Sequence, residues 1–417
     1  MRPATQRELI ILLAACFFVG ACDGQESSDD DGGDAGCVGD PSTGDSDGDG
    51  VCDSDDPCPL ELGWEGNYVI TDAASAEALA DYGVITGSLM IDPDVPQIEG
   101  PACLERIDGD LTMQGNDTVL SLAGFDALRE VGGHVSIAHN GSLTTLALVG
   151  PLTTIGGSLL LSDNEVMTDV SLPETLEEIG GDFWFTENDA MLTFALPASL
   201  SFIGNDLIVR WNTSLETLSV LSSSWEIGGD LSIAYQAQLT EVNLGDGLVH
   251  LGGGFRFEYN NEVVNLELPA SLTSVGADLA IIENTHLETL RLPEALIGIG
   301  GDLVVAHSNF LQEIDFPSEL STVGGDCVFS YLASLSQIEL PGSFSEVAGG
   351  FGVSSNSTLS SLSASGLESV PGSLYLSGNP ILPTCQATTL RDQLSELGGV
   401  CIQNNAADTC EDDLSGC

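Results

Sequence analysis

The sequence predicts an all-β fold: a β-solenoid of about 13 coils, each 24 residues long, closed at both ends by short helices. Three observations carry this expectation. Glycine-rich corners recur at a fixed step, apolar residues alternate after each corner, and one asparagine returns at the same place in most coils.

The corners read Ile107-Asp108-Gly109-Asp110-Leu111, Ile179-Gly180-Gly181-Asp182-Phe183, Ile227-Gly228-Gly229-Asp230-Leu231, Ile299-Gly300-Gly301-Asp302-Leu303 and Val323-Gly324-Gly325-Asp326-Cys327. The second-glycine position falls at 109, 133, 157, 181, 205, 229, 253, 277, 301, 325 and 349, ten successive steps of 24. Gly87 precedes the series by 22 residues and Gly372 follows it by 23, which makes 13 corners. We number each coil from that position. In the coil 301–324, positions 3 and 5 are Leu303 and Val305, the inward side of a short strand. Positions 11, 14, 16, 20 and 23 are also usually apolar, and position 17 is often proline, as at Pro173, Pro197, Pro269, Pro293, Pro317 and Pro341. Position 8 is asparagine in nine of twelve coils: 116, 140, 164, 188, 212, 260, 284, 356 and 379. An asparagine repeated once per coil can bond its neighbours' backbone and satisfy turn amides. At a strand spacing of about 4.8 Å, 13 coils make a rod roughly 60 Å long.

The ends differ from the coils. Residues 60–86 are expected to form an N-terminal cap with a short helix over 73–81, residues 87–384 the solenoid, and residues 385–417 a C-terminal disulfide cap with a helix over 386–397.

The chain has 417 residues, with 64 Asp+Glu against 8 Arg and no lysine, for a net charge of −56. Charged residues are only 17% and hydrophobic residues 42%, so this is not an acidic disordered chain. Such a surface repels phosphate backbones and anionic head groups, which excludes nucleic acid as a partner and makes cations the natural small ligands.

Residues 1–21 read as an export signal, with Arg2 and Arg7 ahead of an apolar stretch too short to span a bilayer. The stretch ends Val19-Gly20-Ala21-Cys22, which resembles a bacterial lipoprotein box. The resemblance implies lipidation of Cys22 and a cell-envelope protein, at the outer membrane or cell surface, whose membrane contact is that anchor only. A second box ends at Cys16 but leaves a very short apolar stretch, and ordinary secretory cleavage near Ala21 is the other alternative.

Residues 22–44 are an acidic, self-repelling disordered tether. Residues 45–59 then place Asp45, Asp47 and Asp49 at loop positions one, three and five, a turn glycine at Gly50, the Val51 carbonyl at seven and Asp56 at twelve. That spacing wraps a hard cation in oxygen, with calcium as the expected cofactor. With its trailing Cys58-Pro59 the loop resembles one unit of a thrombospondin type 3 repeat.

Cysteine usage fits an oxidising compartment. Eight of the cysteines beyond Cys22 lie toward the two ends, and Cys327 lies alone in the middle, where it replaces a core leucine and reads as a buried thiol. The expected pairs are Cys385–Cys401 and Cys410–Cys417, with Cys37–Cys52 and Cys58–Cys103 as further candidates.

The body resembles two families. The strand after a glycine corner, the asparagine that follows it and the terminal run Leu374-Tyr375-Leu376-Ser377-Gly378-Asn379 resemble receptor L domains, which implies a right-handed ligand-binding β-helix. The phase Leu-Pro-x-x-Leu-x-x-Ile-Gly resembles the bacterial surface leucine-rich repeats associated with adhesion.

Candidate chemistry is sparse. The five histidines, 134, 139, 250, 286 and 307, occupy scattered coil positions and define neither a zinc site nor a triad. Asp182, Asp206 and Asp230 recur at position 2, as do Asp278, Asp302 and Asp326; paired acids would allow catalysis, whereas aspartate after Gly-Gly ordinarily caps a turn. Trp211, Tyr235 and Tyr259 occupy position 7 of three successive coils, with Trp184 and Tyr331 at outward places and Arg210 and Arg256 on the same side. These seven residues read either as a recognition stripe for an extracellular protein or glycan, or as rings stacked for stability. The expected function is a lipid-anchored binding or adhesion protein and not an enzyme. The alternative is a β-helical polysaccharide lyase or hydrolase, but such enzymes need long loops and clustered basic residues that this regular, lysine-free repeat does not supply.

Overall fold

A computed structural model describes residues 62–417, apart from 97, 98, 149 and 221. The signal segment, the tether and the expected calcium loop lie outside the described residues. The fold is a parallel β-solenoid with three faces. The broad face is a fifteen-stranded sheet formed by coil positions 3–6, running from Tyr68–Ile70 to Val400–Gln403. The narrow face is a second fifteen-stranded sheet formed mainly by positions 22–23, from Leu62–Trp64 to Glu396–Leu397. The lateral face, at positions 13–16, is broken into four short sheets.

Partners in the central coils lie 24 residues apart, as in Leu207↔Leu231↔Phe255↔Leu279. Positions 3, 5, 11, 14, 16, 20 and 23 fill one continuous core, with Leu303, Val305, Leu311, Leu320 and Val323 all nearly inaccessible. Cys327 sits in that core, and its burial pushes the thiol well above its ordinary pKa.

The Gly-Gly corner follows from close stacking. A Cβ at Gly180, Gly204, Gly228 or Gly252 would be driven onto the carbonyl oxygen of the glycine one coil earlier. Position 2 stitches the same corner. The Asp206 and Asp302 carboxylates accept the amides of Asp230 and Asp326 at 2.7 Å, and Ser158 Oγ accepts the amide of Asp182 at 3.0 Å. The position-2 aspartates are therefore backbone caps that reach the next coil, and the turn-capping reading holds.

Position 7 inverts the strand's alternation. His139, Asp163, Glu187, Trp211, Tyr235, Tyr259, Glu283, His307, Tyr331 and Ser355 all have positive φ, between 54° and 60°. This left-handed kink changes which side the next residue faces, so position 8 turns into the core although position 7 faces out. The asparagines there are fully buried. Each one bonds the coil before it twice. Asn212 accepts the Asn188 amide at 3.0 Å and donates from Nδ2 to the Phe185 carbonyl at 2.9 Å.

The stack exceeds the expected 13 coils, because both ends contribute rungs as well as caps. At the N-terminus the helix is Ala73–Glu77, capped by Asp72, and Tyr68–Ile70 pairs with Leu89–Ile91. At the C-terminus the helix is Thr384–Gln393, after which Val400–Gln403 pairs with Leu374–Ser377. Asn405 then takes the position-8 role, accepting the Asn379 amide at 3.2 Å.

The disulfides also differ from expectation: Cys385 pairs with Cys410, and Cys401 with Cys417. Cys385 opens the helix, where the Leu362 amide bonds Gln386 on the lateral face, whereas Cys401 continues a broad-face column beyond Tyr375. The two therefore lie on different sides of the coil. The tail returns along both. The Thr384 amide bonds the Ala406 carbonyl, and Ile402 bridges Asp413. Cys103 is disulfide-bonded, while Cys37, Cys52 and Cys58 lie outside the described residues.

The lateral face breaks at a regular interval. Its sheets comprise Ser121–Leu122, Thr145–Ala147 and Asp169–Ser171; then Thr193–Leu196, Thr217–Val220 and Glu241–Asn243; then Asn265–Glu267, Thr289–Arg291 and Glu313–Asp315; and last Gln337–Glu339 and Ser361–Ser363. Successive breaks are thus three coils apart. The coil after each break carries phenylalanine at position 5: Phe185, Phe257 and Phe329. Nine other coils have aliphatic residues there, such as Ile137, Val209 and Ile281. A phenyl ring reaches farther across the narrow core, and Phe329 meets Phe316 of the preceding coil edge-on at 5.8 Å. We attribute the parting of the lateral strands to this added bulk.

Candidate recognition surface

The broad face is low in charge. From Leu111–Gln114 to Leu374–Ser377, the outward positions 4 and 6 of twelve strands include one acid, Glu258, and two arginines, Arg210 and Arg256. Leu160, Trp184 and Ile208 are register partners in three adjacent strands of this face. Trp184 is 39% exposed at the centre of that apolar run.

Along one border of this face runs the position-7 column. Trp211, Tyr235 and Tyr259 are exposed and stack, with ring centroids 5.6 and 4.7 Å apart and planes within 19° and 10° of parallel. Each ring projects from a left-handed residue one rung from the next, so the rings form a face-to-face pile. Of the two readings the sequence allows for these rings, the geometry has the stacked arrangement. The ring faces cover one another, leaving edges, hydroxyls and the two terminal faces for a partner. The Tyr259 hydroxyl is pushed above the usual phenol range, first by desolvation in the pile and then by the Glu283 carboxylate beside it.

The column extends beyond the residues expected from sequence. Glu283 pairs with His307 at 3.7 Å, and His307 stacks on Tyr331 at 4.4 Å. His139 and Asp163 form another pair farther along the same column. The signal for His307 was its coil position, shared with Tyr331.

The arginines are engaged. Arg210 donates from Nε and Nη2 to the Ser232 hydroxyl at 3.1 and 2.7 Å. Arg256 pairs with Asp278 at 3.0 Å and lies 3.9 Å from Glu258. They brace the broad face more than they extend donors beside the rings. Trp225 belongs to the core, and its indole N–H finds no hydrogen-bond partner among the described residues. One group of metal-ligand residue types, Cys385, Asp408 and Cys410, holds its two cysteines as a disulfide, which leaves a single carboxylate.

Coils closed by an inward asparagine, with leucine-rich strands stacked in parallel, define a leucine-rich-repeat solenoid. The chain matches the BspA type leucine-rich repeat region in six copies, over residues 136–231 and 232–358, and belongs to that family. No curated protein matches it. A leucine-rich repeat protein from Bacteroides ovatus is similar at 16% identity, over 82% of this chain and 91% of the other, with a TM-score of 0.25. A leucine rich cell surface protein from Faecalibacterium prausnitzii is similar at 13% identity, over 84% and 90%, with a TM-score of 0.24.

Proposed function

We propose that this is an exported, lipid-anchored envelope protein whose broad face binds an extracellular protein or glycan, and that its role is recognition or adhesion, not catalysis. The observation that carries this reading is the contrast between the broad face and the rest of the chain. Twelve strands of a chain with net charge −56 present a single acid on that face, and an apolar run stands at Leu160, Trp184 and Ile208. A wide, weakly charged patch is the surface type that partners cover. The edges and hydroxyls of Trp211, Tyr235 and Tyr259, with Tyr331, would border the contact.

The test is a protein and glycan array probed with the mature chain. Trp184→Ala should lose at least tenfold in affinity for any ligand found, with the melting temperature nearly unchanged, because the ring is exposed. Trp211→Ala with Tyr235→Ala should mainly lower stability, by roughly 1–2 kcal/mol, through lost stacking. Ligand retention by the Trp184 variant would remove the broad face from the site.

Two further parts of the proposal concern the N-terminal segment. Cys22→Ser should move the protein from the membrane fraction to the soluble fraction, and persistence in membranes would contradict the anchor. The loop Asp45, Asp47, Asp49, Val51 and Asp56 should bind calcium in calorimetry of the mature chain. Heats that survive Asp49→Ala with Asp56→Ala would place calcium elsewhere.

A further inference from the structure

The lateral breaks are more than gaps in a hydrogen-bond pattern. Within each lateral sheet, the position-12 amide bonds the position-12 carbonyl of the preceding coil, as in Thr168 to Thr144, Glu216 to Leu192 and Gln312 to Glu288. Among the described residues, the equivalent bonds are missing at Leu192, Val264 and Ser336. The position-16 amide ordinarily bonds the next coil, as in Leu148 to Ser171 and Leu292 to Asp315. Among the described residues, that bond is missing at Leu172, Leu244 and Phe316. The core opens at the same places. Val170, Val242 and Ile314 are half-buried at position 14, whereas Leu146, Leu218, Leu266 and Leu290 are buried there.

A cavity occupies each break. The break after Glu241–Asn243 holds about 690 Å³, the one after Glu313–Asp315 about 520 Å³, and the one after Asp169–Ser171 about 270 Å³. The larger two have apolar floors, at Val242 and at Ile314 with Phe316. The first rim carries Glu241, together with Glu267 held at 2.7 Å by Arg291 of the same rim, and the second carries Glu313 and Glu339. Across the coils that start at 109 to 349, acids at position 13 occur only in the coil before each break, as Asp169, Glu241 and Glu313. Each cleft therefore combines an open strand edge, an apolar floor and outward carboxylates at a fixed register.

We propose that the two larger clefts each receive an extended polypeptide segment of alternating aliphatic and basic residues, which pairs with the open strand edge. The occupant follows from the pleat. A strand added to this edge points alternate side chains inward, against Val242 or Ile314, and the others outward, one rung from Glu241 or Glu313. The inward places select aliphatic residues, and the outward carboxylates select lysine or arginine. A backbone strand also supplies the partners that the Leu244 and Phe316 amides lack. This site is separate from the broad face, so its failure would leave the proposed recognition role standing.

The experiment uses the mature chain and the peptide acetyl-Val-Lys-Val-Lys-Val-Lys-amide, titrated by calorimetry at low salt. Two sites should fill, and hydrogen exchange should slow at residues 242–245 and 314–317. The peptide with glutamate in place of lysine should not bind. Glu241→Gln, Glu313→Gln and Glu339→Gln together should weaken binding about three- to tenfold per site. Glu130→Gln, Glu178→Gln and Glu346→Gln, exposed on the narrow face, should leave it within twofold. Equal losses from the two triple variants would reduce the binding to general charge attraction and overturn the proposal. So would exchange protection elsewhere, or no binding at millimolar peptide.

Discussion

Replacing Asn212 with alanine is expected to destabilise the solenoid by about 2–6 kcal/mol, because two buried backbone groups lose their partners at about 1–3 kcal/mol each. Those groups are the Asn188 amide and the Phe185 carbonyl, both in the preceding coil. Asn212→Asp separates the two bonds. It keeps an acceptor for the Asn188 amide but, when ionised, sets a carboxylate against the Phe185 carbonyl in a fully buried place. Burial raises the folded-state pKa of such an acid. The variant should therefore be least destabilised below the unfolded carboxyl pKa, near pH 4, and should lose stability as pH rises toward neutrality. Urea unfolding at the two pH values checks this, with hydrogen exchange over residues 183–189 reporting the local opening. A loss under 1 kcal/mol for the alanine variant would show that water replaces the side chain and that the ladder is not a structural spine.

Removing the terminal disulfides is the second large effect. Cys385–Cys410 closes a separation of 25 residues and Cys401–Cys417 one of 16. Loop-closure entropy for those lengths gives each about 3 kcal/mol, if the reduced tail is free in the unfolded state. The loss should be local at first. Cys401→Ser with Cys417→Ser releases the segment over Val400–Gln403, the terminal strand of the broad sheet. An open strand end in a parallel stack invites pairing between molecules. The variant should therefore lose exchange protection over residues 400–403 and show concentration-dependent association by light scattering. A monomeric variant with full protection there would mean that the tail's hydrogen bonds suffice.

The 24-residue step made the coil legible because every position faces the same environment in each repeat. Apolar residues at 3, 5, 11, 14, 16, 20 and 23 form the core, and Asn at 8 forms the ladder. The fixed step also hid the last coil. Leu397-Gly398-Gly399-Val400 is another corner, but Thr384–Gln393 is inserted ahead of it and carries the corner beyond the expected place. The disulfide partners were not legible, because spacing along the chain does not say which side of a coil a cysteine occupies. The ring pile was legible as a column with stacking as one of two readings, but the choice between them was not, since it depends on the left-handed φ at Trp211, Tyr235 and Tyr259. The lateral clefts had a signal, the 72-residue recurrence of Phe185, Phe257 and Phe329, and a search at one period passes over a multiple of it.

Those clefts also decide how the rod answers force. As a mechanical element it is a beam with two continuous flanges, the fifteen-stranded sheets, and a third flange cut in three places. Tension along the axis is carried by the two unbroken ladders. A bending load that opens the lateral side meets no backbone ladder bonds at the cuts among the described residues and folds the beam about its stitched faces. The solenoid is therefore stiff in one plane and compliant in another, with three hinge points spaced three coils, or about 14 Å, apart. A chain held at one end and loaded at the other would yield by bending at those points before any ladder is broken.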